Sequence, residues 1–196
     1  QKCSACSRII AVGSSYDRIR ERLVEAVESL SYGAPSDPSV FLGPVIDPDA
    51  FRRIQEIIQN GKVSCRLLVE GNRLSPGSSN QGYFIPPTIF TDVPPDHPLL
   101  QTEIFGPVVV LQKASNFSMA VDLANDSIYG LTGGVFSRSP KNLEYAAREF
   151  RVGNLYLNRG CTGASVYRQP FGGARMSGVG SKAGGPDYLL QFVIPR

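Results

Sequence analysis

Residues 101–111 read QTEIFGPVVVL, and the second half of that stretch announces a buried strand. Val108 to Gln112 is a β-branched run of the kind that fills a strand buried in the middle of a sheet. The Gly106–Pro107 pair ahead of it marks a turn. Glu103 and Phe105 stand just before that turn, and an isolated E-x-F-G-P reads as a turn with a solvated glutamate.

Working outward, Arg8 to Val12 is a short apolar run suited to a strand. Tyr16 to Leu30 carries Ile19, Leu23, Val27 and Leu30 on one stripe with Arg and Glu opposite, the pattern of an amphipathic helix. Asp47 and Pro48 open a second helix that turns Phe51, Ile54 and Ile58 inward and is expected to end at Gly61. Cys65 to Glu70 reads as a strand, and Asn72 to Gly82, rich in Ser, Gly and Asn, as an exposed loop. Tyr83 to Phe90 is extended, and its two prolines push it toward a sheet edge or an irregular strand. Phe117–Asn125 and Pro140–Arg151 are helical, the second capped by Ser139, while residues 133–137 and 154–158 are strands. Strands alternating with helices give an α/β class with a largely parallel sheet. The glycine-rich tail from Phe171 to Pro186 interleaves Phe, Met, Lys and Arg, so it reads as a structured loop and not a linker.

The bulk properties exclude several partners. A chain of 196 residues makes about one domain, or one with a small appendage. Its net charge of +3 is mild and the basic residues are scattered, which disfavours nucleic acid. No apolar run approaches a membrane span, so no membrane partner is expected, and no secretory signal is expected either. Four cysteines, irregularly spaced, suit a reducing compartment better than a disulfide framework. The chain lacks an initiator Met and starts inside a dense motif, so it is expected to be a fragment of a longer protein.

That motif, QKCSACSR at residues 1–8, pairs Cys3 with Cys6. A thioredoxin-like role needs the cysteines after a strand and before a helix, and here the strand follows them. A zinc site needs ligand spacing that Cys65, Cys161 and the lone His97 do not offer. A single nucleophilic thiol remains. His97 reads as a surface loop residue, which leaves activation to a carboxylate, a positive field or backbone amides. The stretch QPFGGARMSGVGSKAGGPDY, residues 169–188, holds no phosphate-loop pattern, yet its unshielded N–H groups are able to form an anion nest. A tight packing loop is the equal alternative.

Taken in order, QKCSA, EIFGPV and PFGGxxxSG resemble the catalytic domain of the NAD(P)-dependent aldehyde dehydrogenase superfamily over essentially the whole chain. YGLTGGVFSR, VGNLYLNR followed by TGA, and SKAGGPDYLLQF resemble its branch acting on 1-pyrroline-5-carboxylate as glutamate-γ-semialdehyde. The resemblance implies a three-layer α/β domain, NAD (or NADP) as cofactor and a small-molecule substrate, glutamate-γ-semialdehyde.

It implies Cys3 as the nucleophile that forms a thiohemiacetal and then a thioester, with its own N–H as an oxyanion donor. Cys6 is expected to be a small buried filler. Glu103 matches the carboxylate that binds the nicotinamide ribose, and Phe105 the aromatic beside the nicotinamide. Ser4, Gly184 and Gly185 match the positions that hold the substrate α-carboxylate, one hydroxyl and two amides forming a compact anion site. Phe192 matches an aromatic against the substrate methylenes, and Phe171 is placed in the same pocket; for both, core packing is an equal reading. The family's general-base glutamate, its oxyanion asparagine and its cofactor domain lie upstream, and its dimer-forming strand lies beyond Pro195–Arg196. The fragment alone is therefore expected to be inactive and its parent a homo-oligomer of the cytoplasm or the mitochondrial matrix. The competing readings are a dehydrogenase of another carboxylated semialdehyde and a non-catalytic scaffold module.

Overall fold

The β-branched run lies inside the largest sheet of the computed structural model, which describes residues 1–76, 82–165 and 167–194. The chain divides into two compact units. The first, Ser7–Asn116 with Gln1–Lys2, runs β1 (Arg8–Val12), α1 (Ser15–Ser29), β2 (Ser31–Tyr32), α2 (Pro48–Ser64), β3 (Arg66–Glu70), β4 (Arg73–Leu74), β5 (Thr88–Thr91), α3 (Pro98–Gln101) and β6 (Val108–Ala114). Its sheet has the order β1-β6-β5-β3, with β6 parallel to both neighbours and β3 antiparallel to β5.

Alternate side chains of these strands go to opposite faces, and each face is covered by a helix. Phe90, Val108 and Val110 pack with Ile54 and Ile58 of α2, while Ile89, Val69 and Leu111 pack with Tyr16 and Val27 of α1. The first unit is thus a three-layer α/β sandwich, as the resemblance implies. Full burial of side chains such as Phe90, Ile54 and Leu111 contributes about 1.5–3 kcal/mol each.

Residues 83–87 are irregular, as one of the two readings had it, but the sheet-edge reading is corrected, because β5 (Thr88–Thr91) is an interior strand buried at all four residues. Pro86 and Pro87 stop one residue short of it, so its ladder donors are intact. Gly61 does not end α2, which runs on to Ser64. A Cβ at Gly61 would sit 2.9 Å from Phe90 Cζ and 3.1 Å from Leu99 Cδ1, so glycine serves close packing there. The helix opens as expected, with Asp47 Oδ1 accepting from Ala50 N at 2.7 Å.

His97 is not a free loop residue. Its Nδ1 accepts from Leu99 N at 3.1 Å, capping α3, and its Nε2 bonds Ser64 Oγ at 2.8 Å at the end of α2. Within the expected loop 72–82, β4 pairs in parallel with β2, while residues 77–81 lie outside the described residues. Ser75 is buried and donates to Asp37 Oδ2 at 2.7 Å. Hydrogen bonds from Ser39 and Ser75 hold the Asp37 carboxyl below the usual carboxylate range.

The second unit, Phe117–Arg196 with Cys3–Cys6, contains α4 (Phe117–Asn125), β7 (Tyr129–Gly130), β8 (Thr132–Val135), α5 (Pro140–Glu149), β9 (Asn154–Leu157), β10 (Ala174–Arg175) and a 3-10 turn over Tyr188–Phe192. β8 and β9 pair in parallel and β7 and β10 antiparallel. Ser139 caps α5 through a 3.4 Å contact with Asn142 N. The helix stops at Glu149, two residues earlier than expected, because Asn125 Oδ1 takes the Arg151 N–H at 2.8 Å. Among the described residues, no helix is long and apolar enough to cross a membrane, and no group of three or more His, Cys, Asp or Glu stands ready to hold a metal.

Candidate active site

Cys3 and Ser4 form a turn in the second unit, with the Cys3 residue exposed and Ser4 only 6% exposed. The turn is held by its backbone. Thr132 Oγ1 and the Cys161 thiol both donate to the Ser4 carbonyl, each at 3.4 Å. Thr132 begins β8, and its partner in the parallel ladder is Asn154 of β9.

Asn154 in turn grips the glycine-rich tail. Its Nδ2 donates to the Pro170 carbonyl at 2.8 Å and its Oδ1 accepts from Gly172 N at 3.1 Å. Phe171, between those two grips, exchanges backbone hydrogen bonds with Ala183 at 2.9 and 3.0 Å. Lys182 Nζ also donates to the Gly153 carbonyl. The expectation of a structured loop therefore holds: residues 172–182 leave and return across one antiparallel bridge.

Gly184 follows that bridge with φ +73°, the left-handed region that favours glycine. Gly185 N–H closes a turn onto the Lys182 carbonyl at 2.9 Å. Of the two amides expected to face an anion, Gly185's is thus turned inward. A Cβ at Gly185 would lie 2.9 Å from the same Lys182 oxygen, so the position still excludes a side chain. Phe171 is half-buried beside this turn, whereas Phe192 lies on the 3-10 turn, 67% exposed, its ring edge-on to Tyr188 at 5.4 Å.

In the first unit, Glu103 and Phe105 flank the buried Ile104, whose carbonyl accepts from Arg53 Nη1 of α2 at 2.7 Å. Anchoring the middle residue leaves both neighbours exposed. Phe105 has φ +54°, a conformation a bulky residue rarely adopts and one that concentrates at functional sites. Gly106 behind it is required by packing, since a Cβ there would meet Ile54 Cδ1 at 2.8 Å. An exposed carboxylate, which only accepts hydrogen bonds, and an exposed ring on a strained backbone suit a ligand with vicinal hydroxyls and a flat heterocycle.

Cys6 corrects an expectation: it is exposed, not buried, since it stands in irregular backbone between the Cys3–Ser4 turn and β1. All four cysteines are free thiols. Thr132, Asn154 and Cys161 were not expected at the site. Their partners lie 128, 16 and 157 positions away in sequence, a distance at which no local pattern speaks.

Residues 1–195 match the sequence profile described as "Aldehyde dehydrogenase family". A 1-pyrroline-5-carboxylate dehydrogenase from a Geobacillus species is 54% identical over 190 residues, covering 97% of this chain and 36% of the relative. The structure of a Thermus 1-pyrroline-5-carboxylate dehydrogenase with bound NAD superposes with TM-score 0.90 at 47% identity, covering 98% of this chain and 36% of that one. Proline utilization A from Bdellovibrio bacteriovorus, inactivated by N-propargylglycine, gives TM-score 0.91 at 50% identity over 98% of this chain and 20% of that one. The chain thus spans about a third of the length of the curated relatives it matches.

Proposed function

Because the chain belongs to the aldehyde dehydrogenase family, we propose that it is the catalytic domain of a longer enzyme that oxidises glutamate-γ-semialdehyde, the open form of 1-pyrroline-5-carboxylate, to glutamate in proline breakdown. The observation that carries this reading is the run of contacts joining the Cys3–Ser4 turn to the Gly184–Gly185 turn.

In this reading the Cys3 thiolate adds to the aldehyde carbon. Sulfur suits the step because it attacks well and also leaves well from a thioester. The Cys3 N–H faces the oxygen on which charge develops. Ser4 Oγ and Gly184 N–H hold the substrate carboxylate, and Gly185 keeps the approach clear of side chains. Phe192 and Phe171 line the path of the methylenes. NAD (or NADP), when bound, would supply the hydride acceptor; Glu103 would hold its nicotinamide ribose and Phe105 would lie beside its nicotinamide. Loss of hydride leaves a thioester on Cys3, which water cleaves to release the carboxylate.

The general-base glutamate and the asparagine of the oxyanion hole belong to the remainder of the enzyme, as does most of its cofactor domain. The one-third share of the relatives' length supports that division. The bacterial relatives support a cytoplasmic enzyme, and assembly as a homo-oligomer belongs to the same proposal.

The test is kinetic, on the full-length enzyme. Glutamate-γ-semialdehyde is expected to give the higher kcat/KM against succinate semialdehyde, and Cys3→Ala to abolish turnover. A preference for succinate semialdehyde would overturn the substrate, and an active Cys3→Ala enzyme would overturn the mechanism.

A further inference from the structure

Thr132 and Asn154 face one another as a registered pair at the start of β8 and β9. Registered neighbours in a sheet present their side chains to the same face. Each is committed to a different distant segment. Thr132 Oγ1 donates to the Ser4 carbonyl at 3.4 Å, and the Cys161 thiol reaches the same oxygen at 3.4 Å. Asn154 takes Pro170 O at 2.8 Å and Gly172 N at 3.1 Å, on either side of Phe171. Phe171 then carries the constraint to Ala183, the residue next to Gly184, by two backbone bonds of 2.9 and 3.0 Å.

We infer that the Thr132–Asn154 pair is the positioning device of the carboxylate subsite, setting the spacing between the Ser4 turn and the Gly184–Gly185 turn. The inference rests on the reading of Ser4 and Gly184 proposed above. An anion site made of a hydroxyl and backbone amides depends on donor spacing, because hydrogen bonds weaken steeply away from their preferred distance and angle. The glycines of the tail have no side chains of their own to hold that spacing and lose more freedom on ordering than other residues do. Asparagine suits the task because one planar group carries both a donor and an acceptor, so it receives a carbonyl and an N–H of the same strand as a ladder neighbour would. Neither residue touches substrate in this scheme. Thr132 acts through Ser4, and Asn154 acts through Phe171 and Ala183.

The experiment compares two aldehydes on the full-length dehydrogenase: glutamate-γ-semialdehyde, and butanal, which carries the reacting carbon without a carboxylate. Asn154→Ala is expected to raise KM for the first about tenfold, with kcat within about threefold and kcat/KM for butanal within about threefold of the parent. Asn154→Asp keeps the acceptor for Gly172 and loses the donor to Pro170, so its KM falls between. Thr132→Ala raises the same KM selectively, and Thr132→Ser, which restores the hydroxyl, returns it toward the parent. Equal losses on both aldehydes, or no change in KM, would overturn the inference. Ser4→Ala separates the two levels. If it raises KM for the carboxylated aldehyde and the Asn154 and Thr132 variants do not, the positioning role alone fails. If Ser4→Ala leaves that KM unchanged, the subsite reading fails and the positioning role with it. Should Asn154→Ala not fold, Asn154→Asp and Thr132→Ala decide the matter by the same KM shift.

Discussion

The two units are held together by different physics. The first closes two apolar layers over a continuous sheet, with Phe90, Ile54 and Leu111 wholly removed from solvent. The second buries only small or few apolar groups among its described residues, chiefly Ala120, Val121, Ala146 and Tyr156, and leaves Phe136, Met176, Val179, Leu189 and Ile194 exposed. Its order comes from side chains bonded to named backbone atoms. Asn125 joins the end of α4 to Glu149 O at 2.7 Å and Arg151 N at 2.8 Å. The Arg175 guanidinium collects the carbonyls of Asn125, Ser127 and Arg151. Ser177 receives the Gly130 N–H at 3.0 Å, and Asn154 holds the tail. Apolar burial is non-directional and produces a firm layer. Hydrogen bonds to chosen atoms place those atoms, which is what the proposed nucleophile and anion turn require.

The largest expected effect tests the first half of that contrast. Phe90→Ala should destabilise the first unit by about 3–5 kcal/mol, read from chemical denaturation, because the cavity lies between the sheet, α2 and Leu99. A loss below about 1 kcal/mol would mean that the layered core does not govern this unit.

A smaller, local effect tests the second half. Arg175→Ala should cost about 1–2 kcal/mol, an exposed charge being worth less than a buried one. Amide hydrogen exchange should then quicken at the ends of α4 and α5 and leave β5 and β6 unchanged. Uniform quickening throughout both units would erase the distinction.

The smallest effect concerns a polar clamp within the first unit. Bonds from Ser39 and Ser75 lower the Asp37 carboxyl, so its stabilisation is present above the ordinary value of 3.8 and disappears as pH falls through the lowered one. Asp37→Asn should therefore narrow the stability difference between about pH 5 and about pH 2, measured as denaturation midpoints. An unchanged acid limb would remove the clamp from the account.

Much of the fold was legible because helical and strand periodicity are local. The stripe Ile19, Leu23, Val27 and the run from Val108 announce α1 and β6, and Asp47 and Ser139 announce the caps of α2 and α5. Less legible was anything fixed by a neighbour far along the chain. Two prolines argued for an edge, yet β5 lies between β6 and β3 because the prolines end one residue too soon. Gly61 looked like a stop and is a contact with Phe90. Cys6 looked like filler and is exposed.

Residue type and short spacing encode the α/β class, the starts of α1, α2, α4 and α5, and the stretches around Cys3, Glu103 and Gly184 as candidates, whereas α3 went unread. How those candidates are held is fixed by contacts between distant parts of the chain. Arg53 grips Ile104 between Glu103 and Phe105, and Thr132 and Asn154 tether the Ser4 and glycine turns. Such bonds join residues 18 to 128 positions apart, and they exist only once packing has brought the segments that carry them side by side.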